Sequence, residues 1–378
     1  MPYAIRRPGA RRAIHMGALL AFALVSQAVA ADARADESAP AGHEGDRTAD
    51  ALGATAGYDR LDLALPHRAG PVAASVWYPV GTPTYGGLVG DNPVFRGTPA
   101  FVGAAPAEGR FPLLVVSHGS GGNMDNLGWL SSALALRGVM VLAVNHPGST
   151  SGDSSPRRSI DLAARARDLT AALDALLADP AFGPRVDRDR IAVLGFSLGG
   201  STALQLAGAR LDRGRYRDYC TRFAEATDCV FFGKGGVDLA ALPESFEAEL
   251  RDPRIRAAVA VDPGMSYGFT PESVLDMHLP VLLVDFAPPD DWTGFDPGLA
   301  RDVGAAGSGL ALRLPEVERA TIGPAIHFSF LGLCKPEGAA LLEAERDDPV
   351  CTDPAVSDRA AVHEHVTARI TAFLKARL

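Results

Sequence analysis

Arg190-Ile-Ala-Val-Leu-Gly-Phe-Ser-Leu-Gly-Gly-Ser201 runs from a short apolar segment through a tight small-residue turn into a helix-compatible stretch. Ile191 to Leu194 reads as a buried strand, and Gly200 to Ala209 as the helix that follows it. Between them, Gly195-Phe-Ser-Leu-Gly199 has the Gly-x-Ser-x-Gly spacing of a nucleophile elbow. The turn forces Ser197 into a strained backbone conformation, so its close neighbours must lack bulk, and Gly195 and Gly199 supply that. The hydroxyl is thereby lifted to a helix N-terminus, where backbone N–H groups favour developing negative charge.

On either side of this turn the chain alternates between buried strands and helices. Leu113–Ser117 and Val139–Val144 read as strands before it, and 126–137 and 160–178 as helices. In the longer helix Leu162, Leu169, Leu173, Leu176 and Leu177 recur on one side. After the turn, 256–261, 281–284 and 317–322 read as strands and 360–374 as a closing helix. This order predicts an α/β fold, a mostly parallel sheet covered by helices on both faces. Leu61–Leu65 and Val72–Tyr78 read as a hairpin-like start, followed by a Gly/Pro/Thr-rich loop from Gly81 to Arg110. From Leu211 to about Asp252 the alternation stops, and this aromatic-rich segment is expected to be an insertion or lid over the strand ends.

A serine hydroxyl needs a base, and a histidine base needs an acid to fix its tautomer. His327 follows the last strand and is the candidate base. His363 and His365 lie in the closing helix and are expected to face solvent, while His278 precedes a strand at the wrong sheet edge. His146 follows a strand and reads as packing more than as pocket lining. Asp262 and Asp285 both end strands at the correct edge, and the residues alone leave both open as the acid. Two backbone N–H donors for an oxyanion are expected from Leu198, after the nucleophile, and from Ser120 in the glycine-rich loop His118-Gly-Ser-Gly-Gly122.

The chain has 378 residues, 47% of them hydrophobic, and a formal charge of -9, so it carries no basic footprint for nucleic acid. Arg6, Arg7, Arg11 and Arg12, the apolar run 16–25 and Ala28-Val-Ala30 read as a cleavable export signal over residues 1–30. The apolar run is too short for a stable membrane span. Residues 31–57 read as a disordered lead-in, leaving 58–378 as one domain. In an exported protein Cys220, Cys229, Cys334 and Cys351 suggest two disulfides, with local pairing expected because each pair brackets a loop-like segment. No Cys-x-x-Cys or His-x-x-x-His spacing suggests zinc, and serine chemistry requires no metal or cofactor.

Residues 112–122, 138–147, 195–200, 258–262 and 325–328 together resemble the α/β-hydrolase superfamily. Within it the chain looks like the platelet-activating-factor acetylhydrolase family and bacterial proteins labelled dienelactone-hydrolase-like. That resemblance implies Asp262 as the acid, Ser120 as the second oxyanion donor, and short-acyl ester cleavage, including phospholipid-type esters. Dienelactone hydrolases use a cysteine nucleophile whereas this turn carries Ser197, so lactone chemistry is not implied. The same residues would serve a lipase, a cutinase-like polyester hydrolase or a peptidase, and a non-catalytic binding protein could retain the scaffold.

Overall fold

The computed structural model describes residues 55–378, so the predicted export signal lies outside the described residues, as does all but the end of the lead-in. That lead-in was expected to reach Gly57, but the first strand already begins there. A single ten-stranded sheet organises the chain: β1 (Gly57–Leu63), β2 (Val72–Tyr78), β3 (Tyr85–Val89), β4 (Thr98–Val102), β5 (Phe111–Ser117), β6 (Met140–Val144), β7 (Val186–Phe196), β8 (Ile255–Val261), β9 (Val281–Phe286) and β10 (Val317–Ile322). The spatial order is β10-β9-β8-β7-β5-β6-β2-β1-β4-β3. Strands β6, β5, β7, β8, β9 and β10 are parallel, whereas β2 runs antiparallel to both β6 and β1. The architecture is the expected α/β-hydrolase fold.

The parallel strands are apolar along their length because both faces are covered. Leu113, Val115 and Val193 point into one core layer with α2 (Leu162–Ala178) and α3 (Leu198–Ala207), and Leu114, Val116 and Leu194 point into the other. This second layer is closed by α1 (Gly128–Ala135) and by α6 (Arg359–Arg377) through Val366, Ile370 and Phe373. Helix α2 starts at Asp161, whose carboxylate accepts the Ala164 N–H at 3.1 Å, and α3 ends at Gly208, in the left-handed region at φ 119°.

The 81–110 segment is not the plain loop expected. It supplies β3 and β4, which lengthen the sheet at its far edge. Their apolar positions do not alternate cleanly, and Tyr85, Leu88 and Val102 remain exposed, so the hydrophobic pattern carries no strand signal. The 211–252 segment contains α4 (Arg213–Arg222) and α5 (Thr227–Lys234), joined by the Cys220–Cys229 disulfide. It packs against the loop after β8: Tyr219 stacks on Tyr267 at 4.2 Å, and Leu211 bridges Phe269. The second disulfide, Cys334–Cys351, closes a loop between His327 and α6.

Chain-entropy arguments assign roughly 3 kcal/mol to closing a loop of either size. The paired variants Cys220→Ser/Cys229→Ser and Cys334→Ser/Cys351→Ser are each expected to lose about that much in urea unfolding. A loss below about 0.5 kcal/mol would contradict it.

Candidate active site

The chain order reverses beside β5: β6 lies on one side of it and β7 on the other, and a crevice forms where such a reversal meets the C-terminal strand ends. Ser197 sits there between β7 and α3, at φ 56° and ψ −121°. The turn leaves no room for side chains around it. A Cβ on Gly195 would stand 1.8 Å from the Gly199 carbonyl oxygen, and one on Gly199 would stand 2.1 Å from the Ser117 carbonyl oxygen. The Ser197 N–H donates to the Val261 carbonyl at 2.9 Å, which ties the turn to β8.

His327 is buried at the start of a 3-10 turn after β10. Its Nε2 lies 3.1 Å from Ser197 Oγ, and its Nδ1 lies 2.7 Å from Asp262 Oδ2. Asp262 follows β8 at φ 45°, and its N–H donates to the Val284 carbonyl at 2.7 Å. Asp285 ends the neighbouring strand but is engaged elsewhere, accepting from Arg319 Nε. Burial pushes the Asp285 carboxyl up to about 6, with Arg319 opposing and the Asp262 charge adding to the rise.

Ser120 is exposed in the loop after β5, and a Cβ on the adjacent Gly119 would lie 3.1 Å from Ser197 Cβ, so the loop and the serine are in close approach. Among the described residues, neither the Ser120 nor the Leu198 N–H donates to a protein acceptor. Each is nevertheless aimed by its own peptide plane. The Gly119 carbonyl accepts from His118 Nδ1 at 2.6 Å and from the Gly122 N–H at 3.2 Å. The Ser197 carbonyl accepts from the Gly200 N–H at 2.9 Å and the Gly264 N–H at 3.1 Å.

Sequence reasoning missed the groups that hold the His327 loop. Ser329 Oγ accepts the Ile326 N–H and donates to Asp353 Oδ1 at 2.7 Å, and Asp353 Oδ2 accepts from Arg359 Nε at 2.8 Å. His363, expected to face solvent, is instead buried. Its ring stacks on Trp129 at 3.6 Å and its Nε2–H donates to the Leu331 carbonyl at 2.9 Å. The helix position of His363 reads as surface because its burial comes from the returning His327 loop, which has no local signature. His365 is exposed, as expected, and His278, which precedes β9, is exposed as well. His146 is fully buried and pairs with Ser117 and Asp168 rather than lining the pocket. Among the described residues no cluster of His, Cys, Asp or Glu is arranged to hold a metal, and no helix is long and apolar enough to cross a membrane.

A family model described as the alpha/beta hydrolase family matches residues 113–373. The chain belongs to that family. It is similar to the cutinase est2 of Thermobifida alba, 35% identical over 101 residues, which cover 26% of this chain and 31% of that protein. It is also similar to the bis(hydroxyethyl) terephthalate hydrolase of Streptomyces coelicolor, 28% identical over 116 residues, 31% of this chain and 34% of that protein. The chain thus matches about a third of the length of these curated relatives. The solved structure of a ferulic acid esterase from Streptomyces cinnamoneus superposes with a TM-score of 0.56 and 20% identity, covering 86% of this chain and 90% of that one, a likeness of fold.

Burial holds two histidines next to these loops low: His146 is pushed down to about 4, as is His363, despite the hydrogen bonds that favour their charged forms. Each binds its proton more readily in the unfolded chain, so the stability present above about 6.5 is lost as pH falls toward about 4. The urea midpoint is expected to drop across that window, and His363→Gln to drop less steeply. Equal slopes for the two proteins would rule out His363 as a contributor.

Proposed function

We propose that this hydrolase cleaves carboxylic esters through an acyl-enzyme on Ser197, and that its substrates are of the cutinase or polyester type. The observation that carries the chemistry is one imidazole bridging Ser197 Oγ and Asp262 Oδ2 at 3.1 and 2.7 Å. His327 Nε2 takes the Ser197 proton as Oγ attacks the ester carbonyl, while Asp262 accepts the Nδ1–H and stabilises the imidazolium. The Ser120 and Leu198 N–H groups receive the tetrahedral oxyanion. Collapse expels the alcohol, which takes its proton from His327 Nε2. A water then repeats the sequence on the acyl-enzyme and releases the acid. Metal and cofactor have no step in this scheme.

The substrate class is drawn from the relatives, which carry the names cutinase and bis(hydroxyethyl) terephthalate hydrolase. These names favour a polyester-type ester over the short-acyl phospholipid that the acetylhydrolase resemblance implies. Both disulfides fit an exported protein, since such bonds persist in oxidising compartments. The 211–252 segment, stacked on the loop that follows Asp262, is read as a cover along one wall of the crevice.

Ser197→Ala is expected to abolish release of p-nitrophenol from p-nitrophenyl esters while the far-UV spectrum stays native; wild-type turnover by this variant would end the proposal. Asp262→Asn is expected to lower kcat by about 1,000-fold or more, and Asp285→Asn by less than about 10-fold, because Asp285 bonds Arg319 and not His327. The reverse order would exchange their roles. Hydrolysis of bis(hydroxyethyl) terephthalate with kcat/KM above that for a short-acyl phospholipid supports the substrate class, and the opposite ranking restores the acetylhydrolase reading.

A further inference from the structure

Arg165 is the most deeply buried arginine among the described residues, 1% exposed on α2. Its guanidinium meets both backbone segments that flank Ser197. Nη2 donates to the His118 carbonyl and, at 3.2 Å, to Ser117 Oγ at the end of β5. Nε donates to Thr202 Oγ1 at 3.3 Å, and that hydroxyl donates to the Leu198 carbonyl at 3.2 Å, in the first turn of α3. Nη1 donates to Ser149 Oγ at 2.7 Å, and the Ser149 carbonyl accepts the Gly121 N–H at 2.9 Å. One rigid planar fork therefore holds the loop carrying Ser120 and the turn carrying Leu198.

The surrounding groups keep this fork charged and fixed. Ser117 Oγ accepts from Arg165 and donates to His146 Nε2 at 3.0 Å; His146 Nδ1–H then donates to Asp168 Oδ2 at 2.9 Å. Asp168 also accepts two bonds from Arg68, both 2.7 Å, and one from His67 Nε2 at 2.8 Å. Burial raises the Asp168 carboxyl, but its hydrogen bonds from His146 and Arg68 outweigh this and hold it at about 2. Burial brings Arg165 down to about 9, still charged at neutral pH. The Ser117, His146 and Asp168 series has the residue types of a second catalytic set, but all three are fully buried and no ester can reach them. Its use is structural: it orients a guanidinium.

We propose that Arg165 is the positioning residue for the oxyanion site, fixing the spacing between the Ser120 and Leu198 N–H groups. The inference rests on the proposed role of those two donors. A buried guanidinium must satisfy its N–H donors; here they are directed at the two segments that carry Ser120 and Leu198, while the apolar core shared by α2 and α3 includes Leu169, Leu173, Leu198 and Ala203.

The test uses Arg165→Met, Arg165→Lys and the milder Thr202→Val, which removes only the link to α3 and covers the case in which Arg165→Met does not fold. With p-nitrophenyl butyrate, Arg165→Met is expected to lower kcat by about 10- to 100-fold with KM within about 2-fold, since the donors act on the transition state. Affinity for an alkyl boronic acid, which forms a tetrahedral adduct on serine, falls in parallel with kcat/KM. Arg165→Lys recovers part of the loss, and Thr202→Val shows a smaller loss of the same kind. Unchanged kcat and boronate affinity in a folded but less thermostable variant would overturn the inference and leave Arg165 a purely structural residue. Amide hydrogen exchange separates this failure from failure of the functional reading. Faster exchange confined to 117–122 and 198–202 shows that Arg165 holds both segments, whether or not esters are turned over, and wild-type exchange there refutes it. Absence of Ser197-dependent turnover in the wild-type protein would overturn the functional reading and the oxyanion role with it.

Discussion

Three backbone segments meet around Ser197 with no space for a β-carbon between them. The Gly199 carbonyl fills the position a Gly195 side chain would take, and the Ser117 carbonyl fills the one a Gly199 side chain would take. This contact sets the depth at which α3 docks on the sheet, and through it the height of Ser197 above β7. It also brings Gly119 against Ser197, so that the serine and the glycine-rich loop share one crevice. The positive φ of Ser197 is a strained state for a residue with a side chain. It persists because the serine's N–H and C=O are both taken by neighbours, Val261 on one side and Gly200 and Gly264 on the other.

Around that contact the buried polar groups form two separate systems. One, centred on Arg165 and Asp168, lies under the loop after β5 and the start of α3. The other runs from Arg359 through Asp353 and Ser329 to the Ile326 N–H, while Trp129 and His363 take the carbonyls of Phe330 and Leu331. Both are nearly saturated with hydrogen bonds, the condition under which buried polar groups specify a structure rather than weaken it. Asp262 belongs to neither system: its Oδ1, like Asp285 Oδ1 and both side-chain polar atoms of Gln205, is buried without a hydrogen-bond partner among the described residues, and its carboxylate is bonded through Oδ2 to His327.

Much of this was legible beforehand, for local reasons. The central strands are continuous apolar runs, the turn at Ser197 has a five-residue signature, and His327 follows a strand, so each could be read from its own neighbourhood. The disulfide pairing was readable because each pair spans a short segment. What escaped was long-range. Strands β3 and β4 at the far edge have exposed faces and glycines, and therefore no periodicity. Arg165, one residue in an amphipathic helix, has no local signature of burial; Ser149, Thr202 and His118, distant in the chain, surround it only in the fold. His363 was misplaced because its cover is the loop after His327, whose Leu331 lies 32 residues upstream of it.

The serine and the histidine stand 130 residues apart, and β8, β9 and β10 all intervene between them. A ribosome therefore exposes the hydroxyl long before the imidazole that bonds it. The loop bearing that imidazole is itself moored to Arg359 and His363 in the last helix. In a chain made from its N-terminus, the bridging imidazole and the helix that moors it are therefore among the last parts of this site to be added.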